Sequence, residues 1–370
     1  MKRQIALFIG NLLDHYDTAL YGLLGPLLAS LFFPKSDPLT QLILVYALVP
    51  LGMLARPLGA LLIGRIGDTK GRKEALLFSL IGMALVTMAI GALPTYAMIG
   101  LAAPCLLACG RILQNFFSAG ESVGGVVTLI ESEGDEQTRR RITGWYNAST
   151  VGGIVLASLL IRLHVPWRLL YIGGSLTLLV AFWLRSRLTI NAAPQEGEAW
   201  SVSLLVRHWK STLRASLLFG FSYATFSVAI VLLSALLPLC SDVTREEMAS
   251  WNVALLALDC ALLPLCARLP QRSISIALFI AMCSPFLFPL LATGSLPVVL
   301  ALRVAFVAVG VVFSATMQCV CLSLFPRSIR YSLSSLSASI GALLFGGVTT
   351  PLSLWLYKVS GSLAVMGLYW

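Results

Sequence analysis

Apolar runs of about twenty residues recur along the whole chain, separated by short polar connections. A helix needs about 20 apolar residues to cross the hydrocarbon core of a bilayer. The pattern therefore predicts an all-α polytopic membrane protein with eleven spans and a twelfth that is only a stub. The predicted spans are 5–32, 41–66, 74–94, 98–129, 142–161, 166–184, 212–238, 247–267, 273–292, 296–325, 332–356 and a stub from 360.

The composition agrees with this pattern. Hydrophobic residues make up 58% of the 370 residues and charged residues 11%, whereas a soluble domain carries about 25% charged residues. The longest polar stretch lies between the sixth and seventh spans. We therefore predict an N-terminal bundle (1–184), a linker (185–211) and a C-terminal bundle (212–370) whose last helix is incomplete. The bundles resemble weak repeats, since Arg111 and Arg303 are separated by nearly the same distance in sequence as Arg141 and Arg330.

The formal net charge of +10 is unevenly distributed. Lysine and arginine are concentrated at the N-terminus and in alternate connections, notably 65–73, 139–141 and 185–214, and they are few in the others. This is the positive-inside pattern. It predicts a cytoplasmic N-terminus in a multi-pass protein, and it accounts for the charge by lipid-bilayer topology, so we expect no nucleic-acid partner.

The cysteines and the motif content indicate neither an enzyme nor a metal site. The eight cysteines lie almost all in apolar runs, where a free cysteine is usually a small packing residue. No metal-like CxxC pair and no HExxH motif occurs. We therefore expect no catalytic residue, metal or cofactor.

Charged side chains inside two spans are the strongest functional signal. Asp14 and Asp17 lie one turn apart in the first span, and a carboxylate at the bilayer centre costs roughly 2.5–3.5 kcal/mol. They share a helical face with Tyr21. The fourth span carries a polar stripe that begins at Arg111. At about 1.5 Å per residue, Asp17 and Arg111 reach similar depth near the midplane, so we expect the two polar faces to line one cavity.

The connection after the second span reads Gly64-Arg-Ile-Gly-Asp-Thr-Lys-Gly-Arg-Lys73. It resembles the signature G-x-x-x-D-[RK]-x-G-R-[RK] of the major facilitator superfamily. Further stretches are similar to motifs of its metabolite:proton symporter branch: Gly10–Gly22, Leu54–Gly59, Arg111–Gly125, Leu324–Arg330 and Gly346–Pro351. The resemblance implies two six-helix pseudo-repeats and proton-coupled uptake of solutes such as proline, betaine, 2-oxoglutarate, citrate or shikimate. We expect a monomer in the bacterial inner membrane.

The chain departs from the branch pattern at several positions. Asp14 replaces the usual glutamate, and Asn115 and Ala119 replace glycines. The second-half copy of the signature loop is lost at 268–272, and the chain stops at Trp370, where a twelfth span should begin. We therefore expect the last helix to be truncated, which leaves a transport-dead membrane protein as one alternative.

The residue types suggest roles for these positions. A guanidinium binds a carboxylate through two parallel hydrogen bonds, so Arg111 is predicted to bind a substrate carboxylate, and Asp17 or Asp14 to carry the proton. The remaining predicted substrate-binding residues are Asp17, Tyr21, Gln114 and Asn115. The predicted gating and signature-loop residues are Gly64, Asp68, Gly71, Arg72, Arg56, Glu121 and Glu131.

Alternative interpretations stay open. The buried charges would also be explained as static ion pairs that hold helices in register, either Asp17 with Arg111 or Asp259 with Arg303. An uncoupled facilitator or exchanger has the same sequence features as a symporter. The residues do not decide which solute is carried, since osmolytes and dicarboxylates both present a carboxylate.

Overall fold

A computed structural model describes residues 2–69, 72–119, 126, 129–130, 135–186, 206–240, 243–270, 272–293, 296–326 and 330–369. Within these ranges the chain is helical, with short connections and no β-strand. We refer to residues 2–186 as the N-terminal half and to residues 206–369 as the C-terminal half. The N face is the end of the bundle at which the first helix begins, and the far face is the opposite end.

The helices of the N-terminal half follow the predicted spans closely. They are α1 (Lys2–Phe32), α2 (Pro38–Met53), α3 (Arg56–Thr69), α4 (Arg72–Ala92), the short α5 (Tyr96–Ile99), α6 (Ala102–Ser118), α7 (Glu136–Arg162) and α8 (Trp167–Ser186).

The helices of the C-terminal half include two π-helical segments, π1 and π2. The order is α9 (Trp209–Phe226), π1 (Ser227–Leu232), α10 (Leu233–Cys240), α11 (Arg245–Cys266), α12 (Ser273–Ala281), α13 (Ser284–Leu287), α14 (Leu290–Thr293), α15 (Leu296–Ser323), α16 (Arg330–Gly341), π2 (Ala342–Gly347), α17 (Val348–Ser360) and α18 (Leu363–Tyr369).

Local chemistry explains where several helices begin. Asp37 accepts hydrogen bonds from the backbone N–H groups of Leu39 and Thr40 and so caps α2. Asp135 caps α7 in the same way through Thr138. Thr244 and Glu247 form a reciprocal capping box at the start of α11. Each cap satisfies backbone donors that a helix N-terminus leaves without a partner.

Prolines break two of the predicted spans. The second span is divided into α2 and α3, and Pro57, the second residue of α3, has no N–H to donate to the carbonyl one turn earlier. The ninth span is divided into α12, α13 and α14, with Pro285 inside α13 and Pro289 directly before α14. The two predicted spans are therefore each present as shorter helices in series.

The apolar residues are placed as a membrane protein requires. Seven helices of the described residues are long and apolar enough to cross a bilayer. Large apolar side chains such as Leu85, Phe279 and Met98 are exposed on the outside of the bundle. The polar residues of α6, among them Arg111 and Gln114, are buried inside it. The predicted all-α polytopic fold is confirmed.

The two halves meet mainly at two places. Helix α7 packs against α11, and α2 packs against π2 and α17. Within the N-terminal half, α1 packs against α7 and α8. The predicted domain division at 184/185 and 211/212 stays a prediction, and residues 187–205 of the predicted linker lie outside the described residues.

Candidate functional site

A cavity of about 320 Å³ lies between the two halves. Its volume is at the lower end of the range for small-molecule sites, about 300–1,000 Å³. Both π segments line it, and a π segment inside a helix is frequently found at a functional site. Its polar lining includes Asp14, His15, Tyr21, Arg56, Arg111, Asn115, Tyr146, Asn147, Thr150, Ser222, Tyr223, Asp259, Ser314, Gln318 and Thr350.

Arg111 lines this cavity from α6 and is 4% exposed. Its guanidinium lies over the ring of Tyr21, 4.2 Å from the ring centroid, in an arrangement that favours a cation. One guanidinium nitrogen, Nη1, donates to Oε1 of Gln114 at 2.5 Å. The Nε atom is buried without a hydrogen-bond partner among the described residues. Arg111 therefore retains donor capacity for a ligand.

Asp17 lies behind Arg111 and is fully buried. Its Oδ2 atom accepts hydrogen bonds from Nε2 of Gln114 at 2.6 Å and from Oγ1 of Thr87 at 2.9 Å. Its Oδ1 atom has no hydrogen-bond partner among the described residues. No direct ion pair joins Asp17 to Arg111 within the described part of the chain. Instead the amide of Gln114 contacts both groups, so that the three side chains form one chain of contacts.

Asp14 occupies a different position. It lines the cavity, whereas Asp17 and Gln114 do not. Its Oδ2 atom lies 3.7 Å from Nδ1 of His15, and the same His15 nitrogen lies 2.9 Å from the backbone oxygen of Asn11. The structure thus separates the two predicted acids into one that faces the cavity and one that is enclosed by side chains.

Three other predicted site residues also line the cavity. Tyr21 and Asn115 line the cavity with Arg111. The hydroxyl of Tyr21 donates to the backbone oxygen of Val45 at 2.5 Å, which fixes the ring. Arg56 also lines the cavity and donates from Nε and Nη2 to Oγ of Ser118 at 3.4 and 3.3 Å.

The signature-loop predictions lie where the structure describes little. Gly64 and Asp68 are in α3 and Arg72 begins α4, but their side chains are not described. Gly71, Glu121 and Glu131 lie outside the described residues. Their predicted gating roles stay predictions.

Arg303, the counterpart of Arg111 in the second half, is fully buried and has its own partners. It donates to Oδ1 of Asn252 at 2.6 Å, and to the backbone oxygen of Ala229 and Oγ of Ser234 at 3.2 Å each. The structure gives no ion pair between Arg303 and Asp259. Static pairing of these two residues, one of the sequence alternatives, is therefore absent from the structure.

Sequence reasoning missed important partners in these networks. Thr87, the second donor to Asp17, and Asn252, the main acceptor for Arg303, are uncharged polar residues with mostly apolar neighbours in the sequence. Such isolated residues carry a weak signal, because serine, threonine and asparagine within spans often serve helix packing.

Comparisons with known proteins agree with the fold. The family model described as "Major Facilitator Superfamily" matches residues 7–346. The human organic anion transporter MFSD10 has a crystal structure that superposes with a TM-score of 0.76 at 16% identity, covering 100% of this chain and 96% of that chain. At this identity the structural likeness shows the fold alone.

Two curated relatives of bacterial origin are transporters. The proline/betaine transporter of Salmonella typhimurium strain LT2 is 25% identical over 403 residues, which cover 100% of this chain and 80% of that protein. The citrate-proton symporter of Salmonella typhi is 31% identical over 235 residues, covering 59% of this chain and 54% of that protein. With a matched family model over nearly its whole length, this multi-pass membrane transporter belongs to the Major Facilitator Superfamily.

Proposed function

We propose that this transporter is a secondary active symporter that carries a small carboxylate-bearing organic solute together with a proton by alternating access. The carboxylate binds Arg111 in the cavity between the halves. The main support is the state of Arg111. Its guanidinium lies on the cavity wall, and its buried Nε has no hydrogen-bond partner among the described residues. A buried cation with unused donors favours an anionic ligand.

The proton is carried by Asp17 or Asp14. A carboxyl group gains or loses a proton without any covalent change elsewhere, and both acids lie on α1 within one turn. The contacts from Arg111 through Gln114 to Asp17 support Asp17, because a solute that draws the guanidinium away alters the Gln114 contact with the carboxyl group. The exposure of Asp14 to the cavity supports Asp14 as a site that a proton reaches directly.

We infer that the units that move are the bundles 1–184 and 212–370, joined by the linker 185–211. The N face is then cytoplasmic, in agreement with the positive-inside distribution of lysine and arginine. The site residues lie at the junction of the halves, which is where transporters of inverted or parallel repeats place their substrate sites.

Uptake by the full-length protein in proteoliposomes tests the proposal. Labelled proline, glycine betaine, 2-oxoglutarate and citrate are offered with and without an imposed pH gradient, acidic outside. We expect accumulation of at least one solute above equilibration, abolished by a protonophore. Arg111→Gln should lower this uptake about 100-fold or more, since two charge-assisted hydrogen bonds contribute about 1.5–3 kcal/mol each. Arg207→Gln, an exposed basic residue, is the matched control and should transport normally.

The same experiment separates the alternatives. Equal uptake with and without the gradient would indicate an uncoupled facilitator or exchanger, and no uptake of any solute would indicate a transport-dead protein. If Asp14→Asn and Asp17→Asn each keep full gradient-driven accumulation, neither acid carries the proton and the coupling proposal is wrong.

A further inference from the structure

The cavity wall carries a carboxylate that the proposed function does not use. Asp259 lies in α11 and lines the cavity from the C-terminal half. It is partly exposed there. Among the described residues, the structure gives its carboxylate neither a hydrogen-bond donor nor an ion-pair partner. Charged groups removed from bulk water are normally paired, so the missing partner calls for an explanation.

The basic residue expected to pair with Asp259 is already engaged. Arg303 donates to Asn252 and Ser234 and is fully buried away from the cavity. Asn252 precedes Asp259 by seven residues on α11, about 10.5 Å along the helix axis. Arg303 is thus bound about two turns before Asp259 on α11, and Asp259 is left facing the cavity.

The charges that the described residues contribute to the cavity wall are balanced. Of the described lining residues, Arg56 and Arg111 are positive and Asp14 and Asp259 are negative. Both positive residues belong to the N-terminal half, and Asp14 lies close to His15. Among the described lining residues, Asp259 is the charged one that the C-terminal half contributes. A solute that spans the cavity therefore meets a guanidinium on one side and a carboxylate on the other.

Aromatic rings of the C-terminal half also favour a positively charged group in this part of the cavity. Tyr223, Phe226 and Phe306 line the cavity from α9 and α15. The face of an aromatic ring attracts a cation, especially a quaternary ammonium group. A second carboxylate at this position would instead meet the like charge of Asp259.

We propose that Asp259 is the recognition site for a positively charged group of the solute, an ammonium or quaternary ammonium, while Arg111 holds the carboxylate. This inference rests on the proposed role of Arg111. It assigns the solute to the small zwitterions and disfavours dicarboxylates and tricarboxylates.

Binding of matched ligand pairs to the purified full-length protein tests the role of Asp259 without any gradient. Glycine betaine is compared with 3,3-dimethylbutanoate, which has the same shape but carries carbon in place of the charged nitrogen. Proline is compared with cyclopentanecarboxylate in the same way. We expect the wild type to bind at least one zwitterion ten-fold or more tightly than the matched carboxylate that lacks the positive charge, measured by titration calorimetry. Asp259→Asn should reduce that ratio to near one, and Asp259→Glu should restore part of it.

Controls separate this role from a structural one. Glu246→Gln removes an exposed carboxylate from the same helix and should leave the ratio unchanged. Size-exclusion profiles show whether each variant is folded. If Asp259→Asn does not fold, the Asp259→Glu variant tests the site instead. The inference is overturned if the wild type binds neither zwitterion, if it binds both members of each pair equally, or if Asp259→Asn keeps the preference.

The role of Asp259 and the proposed proton-coupled transport can fail independently, and the experiments distinguish the two failures. Gradient-driven uptake of a dicarboxylate with no preference for zwitterions would overturn the role of Asp259 and leave proton-coupled transport intact. A ten-fold preference that depends on Asp259, without gradient-driven accumulation, would support the recognition site and overturn the coupling.

Discussion

At the scale of single residues, Gln114 has a more specific position than its place in a polar stripe suggests. Its Oε1 atom accepts from Arg111 and its Nε2 atom donates to Asp17, at 2.5 and 2.6 Å. The two ends of the amide can satisfy an arginine and a carboxylate at once because one end only accepts and the other only donates. Gln114 therefore links the predicted solute site to the predicted proton site without bringing the two charges into direct contact.

Replacement of this amide should separate solute binding from proton coupling. Gln114→Met keeps a side chain of similar length and loses both contacts. We expect solute exchange without a gradient to persist and gradient-driven accumulation to fall about ten-fold or more, because a hydrogen bond to a charged group contributes about 1.5–3 kcal/mol. Both rates are measured in proteoliposomes. Leu113→Met on the outer face of α6, where Leu113 is 49% exposed, is the control. Wild-type accumulation by Gln114→Met would contradict the link.

The sequence predicted these residues but not their contacts. Counting 1.5 Å per residue placed Asp17 and Arg111 at similar depth, and the structure joins them through Gln114. Depth does not determine rotamers, which depend on packing. For that reason the sequence could not show that Asp14 lines the cavity while Asp17 lies behind it, or that Asn252 rather than Asp259 is the partner of Arg303.

At the scale of helices, the contact between α1 and α7 depends on backbone approaching backbone. A Cβ atom added at Gly153 would lie 2.0 Å from the carbonyl oxygen of Leu12 and 2.8 Å from the backbone nitrogen of Tyr16. Neither atom can move without the whole helix. At the adjacent Gly152 the nearest atom would be Cδ1 of Leu12 at 3.5 Å, an ordinary contact. The two neighbouring glycines are thus a matched pair.

Alanine at these two positions should have opposite consequences. Gly153→Ala forces α1 away from α7, and overpacking of this kind typically costs about 1–3 kcal/mol. We expect a lower unfolding temperature in detergent and reduced uptake, since α1 carries Asp14 and Asp17. Gly152→Ala should be neutral or slightly stabilising, because glycine within a helix is less favourable than alanine by about 0.5–1 kcal/mol. Equal unfolding temperatures for both variants would show that the close approach of α1 and α7 at Gly153 does not contribute to stability.

Most helices were predictable because apolar length alone defines a span. The predicted 142–161 and 296–325 correspond to Glu136–Arg162 and Leu296–Ser323. The positions at which a predicted span divides into shorter helices were harder to predict. Prolines inside a span are tolerated when neighbouring groups satisfy the freed backbone. Pro50 therefore lies within α2, whereas Pro57 lies in the first turn of a new helix, α3. The π segments π1 and π2 have no clear sequence signal.

At the scale of the whole molecule, the two halves contact each other at both faces. At the far face, Nε of Arg162 donates to Oγ of Ser250 at 2.9 Å, and Nζ of Lys358 lies 3.0 Å from Oδ2 of Asp37. At the N face, Nη1 of Arg140 donates to the backbone oxygen of Leu269 at 3.4 Å. Alternating access requires each set of contacts to break in turn, so the contacts at one face should bias the equilibrium between conformations.

The ion pair between Asp37 and Lys358 is the contact at the far face whose charges can be exchanged. Hydrogen bonds from the Thr40 hydroxyl and then from Lys358 hold the pKa of Asp37 well below its usual range. Because the pKa of Asp37 is lowered in the folded protein, the ion pair is fully stabilising above the ordinary carboxyl pKa, near pH 4. This stabilisation is lost as the pH falls through the lower pKa of the folded state. The pair should therefore be intact throughout the range in which transport is measured.

Loss of this pair should open the far face more often. In a cysteine-free background with Ser227→Cys on the cavity wall, we expect Asp37→Asn to raise labelling by a membrane-impermeant maleimide added outside whole cells. The exchanged pair Asp37→Lys with Lys358→Asp should return labelling toward the starting rate. Because Asp37 stays ionised, the difference between Asp37→Asn and its parent should persist from pH 7 to pH 5, and high salt should reduce it by screening the exposed charges. Unchanged labelling in Asp37→Asn would show that the ion pair does not hold the far face closed, whereas labelling that rises only from the other side of the membrane would reverse the predicted orientation.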